Sequence, residues 1–400
     1  MRYSRKSTNF AFVIEIKMAK ILAVRFSALG DVAMAMSVLK SFADKYANDE
    51  ITFLCRPVAT MLMEGLPQNV KARPVDLGNY RGVWGLKKLA DELLAEGYDA
   101  LADWHDVLRT KILRTSFRLH GKRVAVIDKG RRQRYQLVRE KNKVRTQLEG
   151  SPQRYADVLE RLGYPVELRP WRMYPRRGAD ITDLLSLTGE RQGAFWIGIA
   201  PFAAHKGKIY PPQLMKEAIN LLNGDPNTRI FIFGGGEKER EWAEDVAATY
   251  KNASSLIGKI RLRHELRLMN RMDVMVTMDS ANMHLAAISG VPTLSLWGAT
   301  HPLAGFVGMP VEGSRILQTE MDCRPCSIFG NKPCRWGDLR CLTSISPQQL
   351  ADAIRSFRPK ESISSPNEVA SCSCEVASSQ HETTVNLQKS EISSREPIKG

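Results

Sequence analysis

The sequence predicts an α/β protein built from two consecutive βαβ domains with a cleft between them. Three observations carry this expectation. Short apolar runs alternate with stretches of helical spacing at a beat of about thirty residues, as a parallel sheet with crossover helices requires. The pattern breaks in a Pro-, Arg- and Gly-rich stretch over 166–193 and then restarts. Several of the apolar runs hand over to helices through small residues, which is where open α/β sheets bind ligands.

Length and composition agree. A chain of 400 residues, 43% hydrophobic and 25% charged, is ordinary for a globular protein, and its length suits two domains. Its longest apolar stretches, such as 291–298, fall far short of the roughly 18 residues a membrane-spanning helix needs. The seven cysteines lie at 55, in a group of four over 323–341, and at 372 and 374, unlike a secreted disulfide framework. A soluble, intracellular protein is expected.

The elements follow in order. Residues 1–17 carry Arg2, Arg5, Lys6 and Lys17 around the apolar patch 10–14 and read as an N-terminal extension, expected to be disordered. The first domain, 18–180, has strands at 21–26, 51–55, 100–103 and 124–127. Helices at 32–46, 83–96, 107–119 and 151–162 alternate with them. The second, 181–358, repeats the pattern with strands at 196–200, 230–233, 274–277 and 293–296 and helices at 212–222, 237–250 and 280–290. From 359 to 400 there are ten serines and no aromatic residue, so this tail is expected to be disordered; Cys372 and Cys374 within it read as incidental.

The net charge is +15, and residues 106–154 alone hold fifteen basic against four acidic residues. Such a stretch implies an anionic partner: nucleic acid, acidic lipid headgroups or a phosphorylated substrate; the alternative is a solvated helix face. A nucleic-acid-binding protein is therefore a competing reading. It lacks the interleaved aromatics of a single-strand platform and leaves the loop motifs unexplained.

Those motifs are the candidates for chemistry. Ser27-Ala28-Leu29-Gly30-Asp31 lies where a strand meets a helix, and Asp31 either offers a carboxylate to the cleft or caps the helix. Met278-Asp279-Ser280-Ala281-Asn282-Met283-His284 opens another helix, where free amides at Ser280 and Ala281 suit an anion and Asp279 could accept from sugar hydroxyls. His284 is either a ligand-side group or buried packing. Gly234-Gly235-Gly236-Glu237 permits close approach by a nucleotide, with Glu237 or Glu239 accepting from ribose hydroxyls, yet it lacks the GxGxxG fingerprint of a dinucleotide oxidoreductase. Lys206 and Lys208 sit in a loop where a lysine could neutralise a phosphate. Cys323, Cys326, Cys334 and Cys341 suffice in number for a tetrahedral zinc site; reduced thiols are the alternative.

From about residue 21 to 357 the chain resembles glycosyltransferase family 9, the bacterial heptosyltransferases of lipopolysaccharide core assembly. The resemblance rests on Arg25-Phe26-Ser27-Ala28-Leu29-Gly30-Asp31-Val32, on Asp279-Ser280-Ala281-Asn282-Met283-His284-Leu285-Ala286-Ala287, and on Trp297-Gly298-Ala299-Thr300-His301-Pro302. The family's Asp-Thr-Gly appears as Asp279-Ser280-Ala281 and its Lys-x-Trp-Pro as Lys208-Ile209-Tyr210-Pro211; the four-cysteine group resembles one in other members. The resemblance implies a GT-B fold, two Rossmann-like domains facing each other across a cleft. It further implies inverting transfer of a sugar, usually heptose from ADP-heptose, onto a lipopolysaccharide core or related glycolipid, with Asp31 as general base and Lys208 on the donor phosphate. No cofactor is then required, and Ser27, Gly30, Arg109, Lys111 and Arg114 would serve the anionic acceptor. The enzyme would be cytoplasmic, peripherally attached to the inner face of the cytoplasmic membrane.

Overall fold

The computed structural model describes residues 18–359; the extension over 1–17 and the tail from 360, with Cys372 and Cys374, lie outside the described residues. Two parallel sheets form, each from one contiguous stretch of chain. The first contains β1 (Lys20–Val24), β2 (Glu50–Cys55), β3 (Val70–Pro74), β4 (Ala100–Asp103) and β5 (Arg123–Val126), in the order β3-β2-β1-β4-β5. The second contains β6 (Phe195–Ala200), β7 (Thr228–Ile232), β8 (Ala253–Ser255), β9 (Val274–Met278), β10 (Thr293–Trp297) and β11 (Arg315–Gln318), ordered β11-β10-β9-β6-β7-β8. All pairings are parallel. This is the GT-B arrangement, two Rossmann-like halves.

Central strands are buried on both faces, so their sequences read as continuous apolar runs, Ile21–Val24 and Val274–Met278 among them. In both sheets the order reverses beside a central strand, between β1 and β4 and between β6 and β9. These switch points open crevices at the carboxyl ends of the strands. The helix Leu29–Lys45 leaves β1 at the first and the helix Ala281–Ile288 leaves β9 at the second, and the two pack against each other. One apolar core runs from Ile51 and Phe53 through Leu39 and Phe42 to Leu285, Ile288 and Met275, so the halves share their interior.

The stretch between the sheets is held by buried polar side chains. Asn270, fully buried, accepts from the Ala179 amide at 2.9 Å and donates to the carbonyls of Pro175 at 3.0 Å and Ser289 at 2.7 Å. Asp273, 3% exposed, accepts from the Trp196 amide at 2.8 Å and from the guanidinium groups of Arg177 and Arg191. Removing that carboxylate leaves two partly buried cations without a counter-charge. Asp273→Asn is therefore expected to lower stability by about 3 kcal/mol, read as a drop in the urea midpoint; an unchanged midpoint would mean that the two arginines find solvent instead.

Candidate functional site

A cavity of about 400 Å³ lies between the two crevices. From the first half it is lined by Ala28, Gly30, Asp31 and Met34. From the second come Lys208, Gly235, Glu239 and the run Asp279-Ser280-Ala281-Asn282, with His284 behind them. The halves meet there without a spacer. A Cβ on Gly30 would stand 2.9 Å from His284 Cδ2 and 3.1 Å from Ala281 Cα, so only glycine allows the two helix starts to come this close.

Asp31 lies in the first turn of its helix, with its side chain 26% exposed. Its Oδ2 pairs with Arg25 Nη2 at 2.5 Å and receives a long contact, 3.4 Å, from the Ala28 amide. Its Oδ1 accepts a long contact, 3.4 Å, from the Tyr155 hydroxyl. Arg25 is 9% exposed and also donates to the Trp104 carbonyl at 2.5 Å. Burial opposes its charge, but the Asp31 and Asp103 carboxylates, with the Tyr155 ring face 5.5 Å from Cζ, outweigh it and leave the guanidinium more firmly protonated than usual. Tyr155 is itself held in its neutral form by burial and by the Asp31 charge.

Beside this pair lies His105, whose Nδ1 accepts from the Phe26 amide at 3.4 Å. Its Nε2 is 3.3 Å from Ser27 Oγ, so the ring carries its proton on Nε2 and donates to the serine. Burial, with Arg25 and Lys129 nearby, pushes its pKa down to about 4. Arg134 stacks on Phe306, a cavity wall, with 4.7 Å from Cζ to the ring centroid, and its Nε is buried without a partner. Burial and Arg154 bring the Arg134 pKa down to about 10.

On the other side Lys208 Nζ pairs with Asp279 Oδ2 at 2.8 Å, both side chains largely buried. The lysine loop is stitched in place by Gly207, whose amide donates to Gly330 O at 3.2 Å and whose carbonyl accepts from Ala299 at 2.8 Å. A Cβ on Gly207 would fall 2.7 Å from Gly330 O. Ser280 takes the N-cap position of its helix without capping it through the side chain, and its hydroxyl is buried without a partner. The first amides of this helix therefore remain for a ligand. Glu239 Oε2 accepts from Gly235 N at 2.8 Å, and burial raises the pKa of this carboxylate. Tyr210, where the resemblance has tryptophan, is fully buried and donates to Ile345 O at 2.7 Å; it belongs to the core beneath the site.

The structure thus gathers Gly30, Asp31, Lys208, Glu239, Asp279, Ser280, Ala281 and His284 around one cavity. Glu237 does not line it; that residue is exposed and pairs with Arg240. Ser27 stands beside it, turned to His105. Arg109 and Lys111 are exposed on the helix Leu108–Leu119, whereas Arg114 is tied to Asp103 at 3.3 Å and Asp106 at 3.0 Å and is not available to share an anion with Lys111. Zinc at the cysteine group finds no support. Among the described residues no group of three or more His, Cys, Asp or Glu side chains is arranged to hold a metal ion. Burial pushes the pKa of Cys341 up to about 11 and raises that of Cys326, whereas that of Cys334 is lowered by nearby backbone amides. Arg25, His105, Arg134 and Tyr155 were missed by the motif reading. An arginine closing a buried strand was a usable signal for the first; nothing in the sequence ties the others to Asp31.

Residues 86–326 match the model of glycosyltransferase family 9 (heptosyltransferase). The chain is 22% identical over 286 residues to the lipopolysaccharide core heptosyltransferase OpsX of Haemophilus influenzae, covering 70% of this chain and 79% of that one. Among solved structures it superposes on a glycosyl transferase family 9 protein of Veillonella parvula with a TM-score of 0.65 and 20% identity, over 85% of this chain and 97% of that one. The ADP-heptose lps heptosyltransferase II of E. coli gives a TM-score of 0.62 at 18% identity, over 84% of this chain and 98% of the other.

The environment of His105 makes stability depend on pH. Its folded pKa near 4 lies below the unfolded value of about 6.5. Between the two the unfolded chain takes up a proton that the folded chain refuses, so this contribution is complete above about pH 6.5 and is lost as pH falls toward 4. Between about pH 7 and about pH 5 denaturant midpoints should carry this fall, set against an opposite contribution from Glu265, whose pKa burial raises to about 7. His105→Gln should flatten that fall, leaving the part due to His284, whose pKa is lowered by burial as well. An equally steep fall in the variant would place the titration elsewhere.

Proposed function

The chain belongs to glycosyltransferase family 9, the heptosyltransferases of lipopolysaccharide core biosynthesis, and from that premise we propose that it moves a heptose from ADP-heptose, with inversion, onto an anionic lipopolysaccharide core or related glycolipid. The observation that carries the reading is the meeting, in one cavity, of the Asp31 carboxylate from one half with Lys208 and the uncapped helix start at Ser280 from the other. Enzymes of this class depend on a nucleotide-sugar donor, and the name of the E. coli neighbour specifies ADP-heptose.

In this mechanism the donor diphosphate lies against the amides of Ser280 and Ala281, with Lys208 alongside. Asp279, ion-paired to Lys208, fixes the ammonium where the leaving group develops charge. Glu239, steadied by the Gly235 amide, accepts from ribose hydroxyls. Arg25 holds one oxygen of Asp31 and so orients the other, Oδ1, toward the acceptor hydroxyl. Oδ1 takes the proton as that hydroxyl attacks the anomeric carbon on the side opposite the diphosphate. The uncommitted charge of Arg134 and the exposed Arg109 and Lys111 favour an anionic acceptor. Such an enzyme works in the cytoplasm, at the inner face of the membrane that carries its acceptor. No helix among the described residues is long and apolar enough to cross a membrane.

Asp31→Asn is expected to lower turnover by a factor on the order of a hundred or more while leaving ADP affinity within about twofold. Because Arg25 loses its ion partner, the melting temperature should fall as well. Near-normal turnover would leave Asp31 as a partner for Arg25 and nothing more. Lys208→Ala should weaken both ADP binding, by roughly tenfold in calorimetry, and turnover, since the charge is felt by donor and leaving group alike. Unchanged ADP affinity would move the phosphate site away from this loop.

A further inference from the structure

In the first sheet every strand is parallel, so the segments following β1 to β5 all emerge on one rim. The segment after β1 carries Asp31. Each of its four neighbours exposes an apolar side chain together with a cation. After β2 come Arg56 and Val58, the latter 45% exposed. After β3, at the start of the helix Gly82–Ala95, stand Arg81, Val83 at 65% and Trp84 at 82%. After β4 the helix Leu108–Leu119 begins with Leu108, 75% exposed, and Arg109. After β5 the helix Arg131–Val138 presents Arg132 and Tyr135, 68% exposed.

A lone exposed leucine needs no explanation, but a tryptophan at 82% exposure beside a valine at 65% on the first turn of one helix does. The helices Gly82–Ala95 and Leu108–Leu119 pack against each other, and both start at this rim, which brings Trp84 and Leu108 to the same end of the molecule. The charges around them are mainly positive, although Asp76 and Asp128 are exposed on the same loops, each accepting from a nearby glycine amide. Asp106, the acidic residue of the loop after β4, is already tied to Arg114 and Arg131. Apolar and aromatic tips interspersed with unpaired cations match the interface of an anionic bilayer, where Trp and Tyr seat at headgroup level and each Lys or Arg adds about fivefold in partition. A second copy of this surface would set like charges against like, and the basic segment over 1–17 would do the same.

We infer that this rim is a membrane-docking surface for anionic phospholipid. Val83, Trp84 and Leu108 enter the headgroup region, and Arg56, Arg81, Arg109 and Arg132 lie over the phosphates. The inference rests on the reading of the acceptor as lipid-borne. It adds that the protein meets the bilayer with the rim that also carries Asp31, so the acceptor's sugar reaches the cavity without its lipid leaving the membrane.

The test is co-sedimentation of the full chain with phosphatidylcholine vesicles, pure or containing phosphatidylglycerol. The triple variant Val83→Ser, Trp84→Ser, Leu108→Ser changes only exposed side chains, so its melting temperature and its transfer to a soluble, deacylated acceptor should stay as in the wild type. The wild type should bind the anionic vesicles, less so in high salt, and pure phosphatidylcholine poorly. The variant should lose about tenfold or more in partition. Wild-type binding by the variant, or no binding by the wild type, overturns the inference. So does a dimer that the variant converts to monomer in sedimentation equilibrium, which would make the surface one of self-association, or a loss confined to retention on RNA. If vesicle binding behaves as expected while no sugar is transferred to any acceptor, the docking surface stands and the proposed reaction falls.

Discussion

Everything at the cavity depends on two helix starts being allowed to touch. Gly30 and Ala281 approach so closely that a Cβ on the glycine would stand 2.9 Å from His284 Cδ2 and 3.1 Å from Ala281 Cα, and a Cβ on Gly308, on the other flank of His284, would stand 3.0 Å from its Nδ1. His284 is therefore a wedge held between two glycines, 7% exposed and pushed toward its neutral form by burial. Burial outweighs the attraction of the Asp31 and Asp279 carboxylates for a charged imidazole, and Lys208 opposes that charge as well. The sequence reading left open whether this histidine was a ligand-side group or packing. It is buried against the two helix starts and also forms part of the cavity wall.

The basic stretch shows how misleading a linear count of charge can be. Many of its cations are turned inward onto main-chain oxygens. Lys143 donates to the carbonyls of Cys323 at 2.8 Å and Pro325 at 3.0 Å, Arg145 to those of Met321 at 3.1 Å and Asp322 at 2.8 Å, and Arg154 to Asp128 O at 2.9 Å. Long basic side chains suit this task, since their stems pack along apolar surface while the head satisfies carbonyls that a loop leaves unpaired. Lys143 and Arg145 in this way bind the chain after the first sheet to the cysteine-bearing loop of the second. Some of the side chains that suggested a broad anionic partner thus hold the halves together, and part of the surface charge that remains, Arg109, Lys111, Arg131 and Arg132, sits on helix starts at one rim.

The βαβ beat was legible because buried parallel strands must be continuously apolar, and the observed bounds of β1, β4, β6 and β9 fall within a residue or two of those expected. Of the four edge strands only β5 was: β3, with the pattern Val-Lys-Ala-Arg-Pro, and β11, Arg-Ile-Leu-Gln, are half exposed and need no apolar run, while β8 is three residues long. The helix Arg131–Val138 was hidden for a similar reason, as only Leu137 and Val138 are buried. At the cavity, residues inside strand-to-helix motifs could be named in advance because the topology fixes where such loops point. Tyr155 could not, since the hydroxyl that reaches Asp31 comes from a helix 124 positions later in the chain whose apolar stripe looks like ordinary packing. Arg114 failed in the opposite sense: spacing put it next to Lys111, but two carboxylates claim it.

The stretch joining the two sheets looks from its composition like a linker, yet it is pinned at several points to both halves. The Arg169 and Trp171 amides donate to the hydroxyls of Ser41 and Ser37 on the first half's helix, at 3.0 and 3.1 Å, and Met173 N donates to Ile288 O on the second at 2.7 Å. Trp171 itself is 5% exposed. A protease needs several residues of unpaired, extended chain in its groove, and from Arg169 to Met173 alternate amides are already committed to the two halves. The two halves should accordingly resist being cut apart. Either one expressed alone would carry into water the apolar face that the other covers, so this catalyst has two sheets but a single unit of inheritance.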